Sequence, residues 1–386
     1  MFCAIAELNE NSADNARIAH RNGKRLKLKK VFTTFPLALL FVSGESIAQL
    51  YSANTINRVC YVTVSKQIEW RHCKCVNNAS DSTARHHNGY RTIMNELPTY
   101  TAPPGGQLSR EMLADYENTG VLILRDFVST DQCQRLREHT LKLIDEFDLT
   151  EVRHVFSAME QSQLDDSYFE ESGDKIRFFF EHDAFDESGN LRQPKEHSLN
   201  KMGHAMHDLD PVFDSFSRTA ELAGIARSLG IEAPGIIQSM YIFKPPRIGG
   251  EVYCHQDSTF IYTEPESCVG FWFALEDATV ENGCMQFIPG GHKLGLKERH
   301  FRGKDGKLTF ETLDDSPWPE NATVAAEAPA GTMVIFDGRA PHLSGPNLSA
   351  KSRHAYTLHI IDRNCHYPAE NWLQRSPDLP LRGFDS

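Results

Sequence analysis

In the stretch Cys254-His255-Gln256-Asp257-Ser258-Thr259-Phe260, an imidazole and a carboxylate stand two positions apart. In extended backbone, residues i and i+2 point to the same side, so His255 and Asp257 would project together from a strand. Imidazole nitrogen and carboxylate oxygen are both metal ligands. A bare H-x-D pair also fits a surface hydrogen bond, so a third ligand is needed to give it chemical meaning. The segment APAGTMVIFDGRAPHLSGPN supplies a candidate, running from an apolar strand through a turn to His342. Two histidines and one carboxylate from distant segments form a facial set that suits non-haem Fe(II) and leaves coordination positions open. Zinc is more often given a tetrahedral site. With 17 histidines in the chain, His342 equally fits a surface loop beside Pro341.

Arg353 opens the run RHAYTLHII that follows His342. Turned back into the fold, its planar guanidinium would pair bidentately with a carboxylate. A buried arginine facing an iron site calls for an anionic co-substrate. 2-Oxoglutarate has the two ends required: a 2-oxo acid to chelate iron and a distal carboxylate for the arginine. The plainer alternative is a surface charge at a strand end, the commoner fate of arginine.

These residues need a frame to bring them together. LSREMLADYENTG reads as a helix closed by Gly120, VLILRDF as a buried strand, and Ser129 with Gln132 as a capping box opening the helix TDQCQRLREHTLKLIDEF. A further helical period runs through SFSRTAELAGIARSLG. Beyond Gly235 the pattern changes to short runs rich in β-branched and aromatic residues: IIQSMYIFK, CVGFWFALED, GCMQFIPG, TMVIFDG and HAYTLHII. Antiparallel strands after a helical section predict a mainly β domain, a double-sheet barrel of the jelly-roll, cupin-like kind, with helices packed on one face.

Composition narrows the function. The 386 residues are 40% hydrophobic and 24% charged, enough for one large globular domain. A formal net charge of -12 gives nucleic-acid binding little electrostatic support, so a small-molecule partner is expected. Nine cysteines without disulfide-like spacing fit reduced thiols in a cytoplasmic setting. Residues 17–30 are strongly basic and precede the apolar run VFTTFPLALLFVSG, the order of a secretory signal, although the run is short for a membrane span. Residues 1–93 therefore read as an N-terminal extension, disordered or targeting, and residues 94–386 as the functional domain, with membrane association not expected. The terminal Phe384-Asp385-Ser386 is not a peroxisomal SKL-type signal. Composition does not set the oligomeric state.

GEVYCHQDSTFIYTEP, GFWFALEDATVENGCMQFIPGGH, SGDKIRFFFE, SMYIFKPPRIGGEV and PAENWLQ together resemble the phytanoyl-CoA dioxygenase family, from about residue 105 to the C-terminus. The resemblance implies a double-stranded β-helix holding Fe(II) on His255, Asp257 and His342. It also implies Arg353 on the distal carboxylate of 2-oxoglutarate, with Lys175, Met240, Trp272 and Ser344 at further co-substrate positions. Three of these have a plainer reading: Lys175 as a solvated charge, Met240 and Trp272 as core packing in apolar strands. The activity implied is an Fe(II)-, 2-oxoglutarate- and O2-dependent dioxygenase hydroxylating an unidentified small molecule, acyl or lipid-like compounds among the candidates, and releasing succinate and CO2. The alternative is a metal- and 2-oxoglutarate-binding sensor with little substrate turnover. His292 and the paired glycines at 249–250 and 290–291 read as structural.

Overall fold

The chain divides into two compact units, residues 1–89 and 90–386. A computed structural model describes residues 96–148 and 167–384 in full. The expectations of disorder or a targeting signal in residues 1–93 fall outside the described residues. In the second unit the strands are β1 Thr99–Thr101, β2 Val121–Arg125, β3 Ile176–Phe180, β4 Leu199–His204, β5 Pro234–Ile242, β6 Val252–His255 and β7 Val269–Ala274. They continue as β8 Met285–Phe287, β9 Glu298–Arg302, β10 Leu308–Thr312, β11 Val324–Ala326, β12 Met333–Asp337, β13 His342–Ser344 and β14 Ala355–Asp362. The helices are α1 Arg110–Thr119, α2 Thr130–Glu146, α3 Ser167–Glu170, α4 Met206–Leu209, α5 Pro211–Ser217 and α6 Ala220–Ser228.

Helix boundaries follow local chemistry. Ser109 and Ser129 cap α1 and α2 through their side-chain oxygens. Gly120 ends α1 at φ 76°, where a Cβ would lie 2.4 Å from the His292 ring. The single helix expected over SFSRTAELAGIARSLG is two helices. Thr219 stops the first and caps the second by accepting from Leu222 N at 3.3 Å, a side-chain bond that competes with continued helix.

The strands form two principal sheets. The larger has the order β3-β4-β5-β14-β7-β12-β2-β1, antiparallel except for the parallel β1–β2 edge. The smaller has the order β6-β13-β8-β11. One face of the large sheet packs on the helices: Leu122, Leu124, Phe271, Phe273, Met333, Ile335, Tyr356 and Leu358 share a core with Leu136, Phe213 and Leu222. Residues one position along, Val121, Ile123, Trp272, Val334 and Phe336, join Met285, Phe287 and Ala326 of the small sheet in an inter-sheet core. Because both faces are covered, β2, β7 and β12 read as unbroken apolar runs rather than alternating ones. Two facing antiparallel sheets with helices outside the larger one make a double-stranded β-helix.

Gly270 lies on the inner face, opposite Phe336 of β12 and His359 of β14. A Cβ there would sit 2.3 Å from the Phe336 ring, which itself packs on His342 with centroids 4.9 Å apart. Gly270→Ala should destabilise the fold by about 1–3 kcal/mol through overpacking, read as a lower urea midpoint at unchanged slope.

Candidate active site

Strands β6 and β13 pair with His255 directly opposite His342, and their ring centroids lie 4.3 Å apart. The strand expected to carry both His255 and Asp257 ends at His255, and Asp257 opens a single 3-10 turn, Asp257–Thr259. Gln256 between them stays extended at φ -121° and ψ 133°, so the alternation that brings i and i+2 together survives. Asp257 Oδ1 lies 3.5 Å from His255 Nε2 and 3.7 Å from His342 Nε2. Among the described residues, His255, Asp257 and His342 form a set whose ligand atoms all lie within 4.8 Å of one another. His255 Nδ1 donates to Tyr253 O at 2.8 Å and His342 Nδ1 to Ala340 O at 3.0 Å. A carbonyl can only accept, so both rings carry a proton on Nδ1, and in the neutral form each turns an Nε2 lone pair inward, the tautomer a metal requires.

The surroundings keep Asp257 ionised. Burial by itself would raise its pKa, but His359, His342 and His255 hold it well below the usual carboxylate range. His359 on β14 donates from Nε2 to Asp257 Oδ2 at 2.8 Å, which leaves Oδ1 for a metal. Burial, helped by neighbouring His255, lowers His342 to about 4, so its lone pair is available at neutral pH. Burial also works to lower His255, but its hydrogen bond to Asp257 and that charge outweigh it and raise the ring above its ordinary value. The buried Gln256 pins the ligand turn by donating to Gly295 O at 2.8 Å and Arg339 O at 2.7 Å and accepting from Lys297 N at 2.9 Å.

A second group of polar side chains shares the inner face of the large sheet. Arg353 lies two residues before β14 rather than on it, 2% exposed, with Nε and Nη1 lacking any partner. Its guanidinium carbon is 5.5 Å from the Trp272 ring centroid. Burial lowers its pKa to about 10, which leaves it charged at neutral pH. Met240, Thr357 and Trp272 stand directly opposite one another on β5, β14 and β7. The indole Nε1 is buried and unpartnered as well. Orphaned donors around a buried cation are what a bound carboxylate would satisfy. The residues therefore fit 2-oxoglutarate beside the metal set.

The structure brings His255, Asp257 and His342 together, and it buries Arg353, Trp272 and Ser344. Ser344 Oγ accepts from Lys244 Nζ at 2.8 Å, and that buried ammonium also donates to Gly250 O at 2.6 Å. Burial and nearby Arg353 lower Lys244 to about 7. Met240 is half-buried. Lys175 precedes β3 on the surface, its ammonium 3.6 Å from Glu171. The lysine that the fold buries on the inner face is Lys201, in register with Ile242 of β5 and lowered to about 7 by desolvation. Sequence reasoning missed His359, Gln256, Lys201 and Lys244. The first had a readable signal, because Arg353, Ala355, Thr357 and His359 alternate along one segment.

A double-stranded β-helix with two histidines and one carboxylate at its mouth, and a buried arginine along the same sheet, defines the 2-oxoglutarate-dependent non-haem iron dioxygenases, which use Fe(II), 2-oxoglutarate and O2. Sequence comparison agrees: a model of the phytanoyl-CoA dioxygenase family matches residues 116–355. A phytanoyl-CoA dioxygenase of Arabidopsis thaliana is 44% identical over 272 residues, 70% of this chain and 95% of the relative. One of rice, Oryza sativa subsp. japonica, is 45% identical over 284 residues, 72% and 99% of the two chains. Phytanoyl-CoA dioxygenase domain-containing protein 1 of Bos taurus is 42% identical over 283 residues, 71% and 97%. The chain belongs to the phytanoyl-CoA dioxygenase family.

His359→Ala should weaken Fe(II) affinity about 10–100-fold by freeing Oδ2, measured by anaerobic metal titration. In the unfolded chain a histidine binds its proton near 6.5, whereas His300, His342 and His354 do so only near about 4 in the fold, because burial penalises the cation. Between those values the unfolded state holds more protons, so metal-free stability should fall as pH is lowered from about 7 to about 5. His255, raised by Asp257, and Glu181, raised to about 7 by burial, act in the opposite direction, but the buried histidines outnumber them. Urea midpoints at the two pH values test the sign.

Proposed function

We propose that this chain couples decarboxylation of 2-oxoglutarate to hydroxylation of a small-molecule substrate. The observation that carries the reading is the Arg353 guanidinium, buried with two unpartnered nitrogens, just before the strand that supplies His359 to the metal carboxylate. Written as a balance, substrate C–H, O2 and 2-oxoglutarate give C–OH, succinate and CO2: one oxygen atom enters the new hydroxyl and the other the succinate carboxylate. Bound by His255, Asp257 and His342, Fe(II) would supply the redox chemistry that activates O2.

The chain's own residues do the holding. His255 and His342 present their Nε2 atoms, each ring fixed by the carbonyl behind it. Asp257 contributes the one negative charge, oriented by His359. Arg353 neutralises the distal carboxylate of 2-oxoglutarate, and Trp272 covers it from bulk water. Ser344 and Lys244 add polar contacts along the same wall. Lys201, already buried on that face, is better placed for this work than the exposed Lys175.

A small organic substrate agrees with the net charge of -12, which disfavours polyanions. Free Cys133, Cys254, Cys268, Cys284 and Cys365 support a reducing compartment, and we place the enzyme in the cytoplasm. Among the described residues no helix is long and apolar enough to cross a membrane.

Anaerobic addition of Fe(II) and then 2-oxoglutarate should give a weak visible charge-transfer band, and admitting O2 should release succinate. Asp257→Ala should abolish both, and Arg353→Met should raise the 2-oxoglutarate concentration needed by about 100-fold, a loss of roughly 2.7 kcal/mol. The band without succinate would favour a metal- and 2-oxoglutarate-binding sensor instead, and absent iron binding would refute the site.

A further inference from the structure

Strands β9 and β10 form a two-stranded sheet of their own, outside both barrel sheets. An isolated hairpin is marginal in water, so other contacts must hold it. Gln256, between the ligands His255 and Asp257, donates to Gly295 O and accepts from Lys297 N just before β9. The Lys297 ammonium lies 2.7 Å from both Asp314 Oδ2 and Ser316 O, which ties down the chain leaving β10. Leu308, 3% exposed, enters a core with Phe179 and Trp372. The hairpin is thereby fixed to the turn that carries the metal carboxylate. What it presents there is aromatic. The cross-strand pair His300 and Phe310 stacks with centroids 4.5 Å apart and planes at 28°. Phe260, which closes the turn opened by Asp257, meets Phe310 at 90° and 6.1 Å and reaches the His255 ring at 6.1 Å. Two ring-to-ring steps therefore connect a metal ligand to Phe310. A lone exposed phenylalanine carries no message. Phe310, 43% exposed, is instead backed by the buried His300 and continues a wall that begins at the metal set. At the near end of that wall His255 is the most accessible of the three ligands, its side chain 28% exposed.

We propose that Phe310 is a specificity residue for the hydroxylation, its open surface seating a flat, uncharged ring of the substrate beside the metal set. The assignment rests on the proposed function and names a substrate class for it. A ring is favoured because aromatic planes that stack or meet edge-on gain about 0.5–1.5 kcal/mol beyond the area they bury. Phe310 is already fixed by His300 and Phe260, so little further freedom is lost when a ligand settles on it. The group is uncharged because neither phenylalanine offers a counter-charge, and a neutral group loses least on leaving water. Burial holds His300 at about 4, so the ring behind Phe310 is neutral as well.

The test loads the full chain with 2-oxoglutarate and Mn(II), a paramagnetic stand-in for Fe(II), and titrates it with indole or hexanol as flat and linear probes. Proton relaxation of the probe reports its approach to the metal, with Zn(II)-loaded protein as the diamagnetic reference. Indole relaxation should rise saturably with Mn(II) and not with Zn(II), and indole should bind more tightly than hexanol. Phe310→Ala should take up Mn(II) unchanged, bind indole about tenfold more weakly and lose the preference for indole over hexanol. Phe310→Tyr, which keeps the ring, should retain that preference. Wild-type indole affinity in the alanine variant would overturn the proposal, as would hexanol bound as tightly as indole by wild type, or indole relaxation indifferent to Mn(II). Wild type that takes up no Mn(II) would refute the metal set, and with it both the proposed function and this assignment.

Discussion

A carboxylate removed from water needs compensation, and Asp257 is 8% exposed. An isolated buried carboxylate would protonate rather than stay charged. Three imidazoles prevent that, and each is there because of backbone pairing elsewhere. His342 arrives by the β6–β13 register, His255 by the alternation through Gln256, and His359 by its place on β14. The requirement that Asp257 remain anionic thus ties the small sheet, the large sheet and the ligand turn into one arrangement. A divalent cation would complete that compensation, since the two Nε2 atoms and Oδ1 already converge.

The large sheet answers the demands of folding and of the site on opposite faces. Its outer face carries Phe271, Phe273, Tyr356 and Leu358 against the helices, which stabilises the domain. Its inner face carries Gly270, Trp272, Thr357 and His359, a mix of small, aromatic and polar groups that no core would select for packing alone. Period-two alternation lets one strand serve both. β14 is the clearest case: every residue from Ala355 to Asp362 is buried, yet alternate side chains meet a helix layer or the site.

Much of this was legible in the sequence. The capping serines, Gly120 and the apolar runs located α1, α2 and the strands β2, β5, β7, β8, β12 and β14, because those signals are local. His255, Asp257, His342 and Arg353 stood out by residue type and spacing. The break between α5 and α6 was not foreseen, because a threonine in the middle of a helical period signals a cap only when its backbone turns away. Lys175 and Lys201 lie in similar settings, each close to apolar residues, and their sequence context does not say which ammonium is buried. The edge pairing of β3 with β4 and β4 with β5 decides it.

The sequence by itself determined the donor chemistry, two imidazoles, a carboxylate and a guanidinium, and the alternating segments able to carry them, since residue type and strand period are properties of the chain. Only the tertiary structure decided which atoms meet. The register that sets His255 against His342, the turn of Asp257 toward His359, and the depth at which Arg353, Thr357 and Trp272 lose their water all depend on contacts between segments far apart in sequence. Such contacts are fixed by packing and strand pairing, and neither can be read from one segment alone.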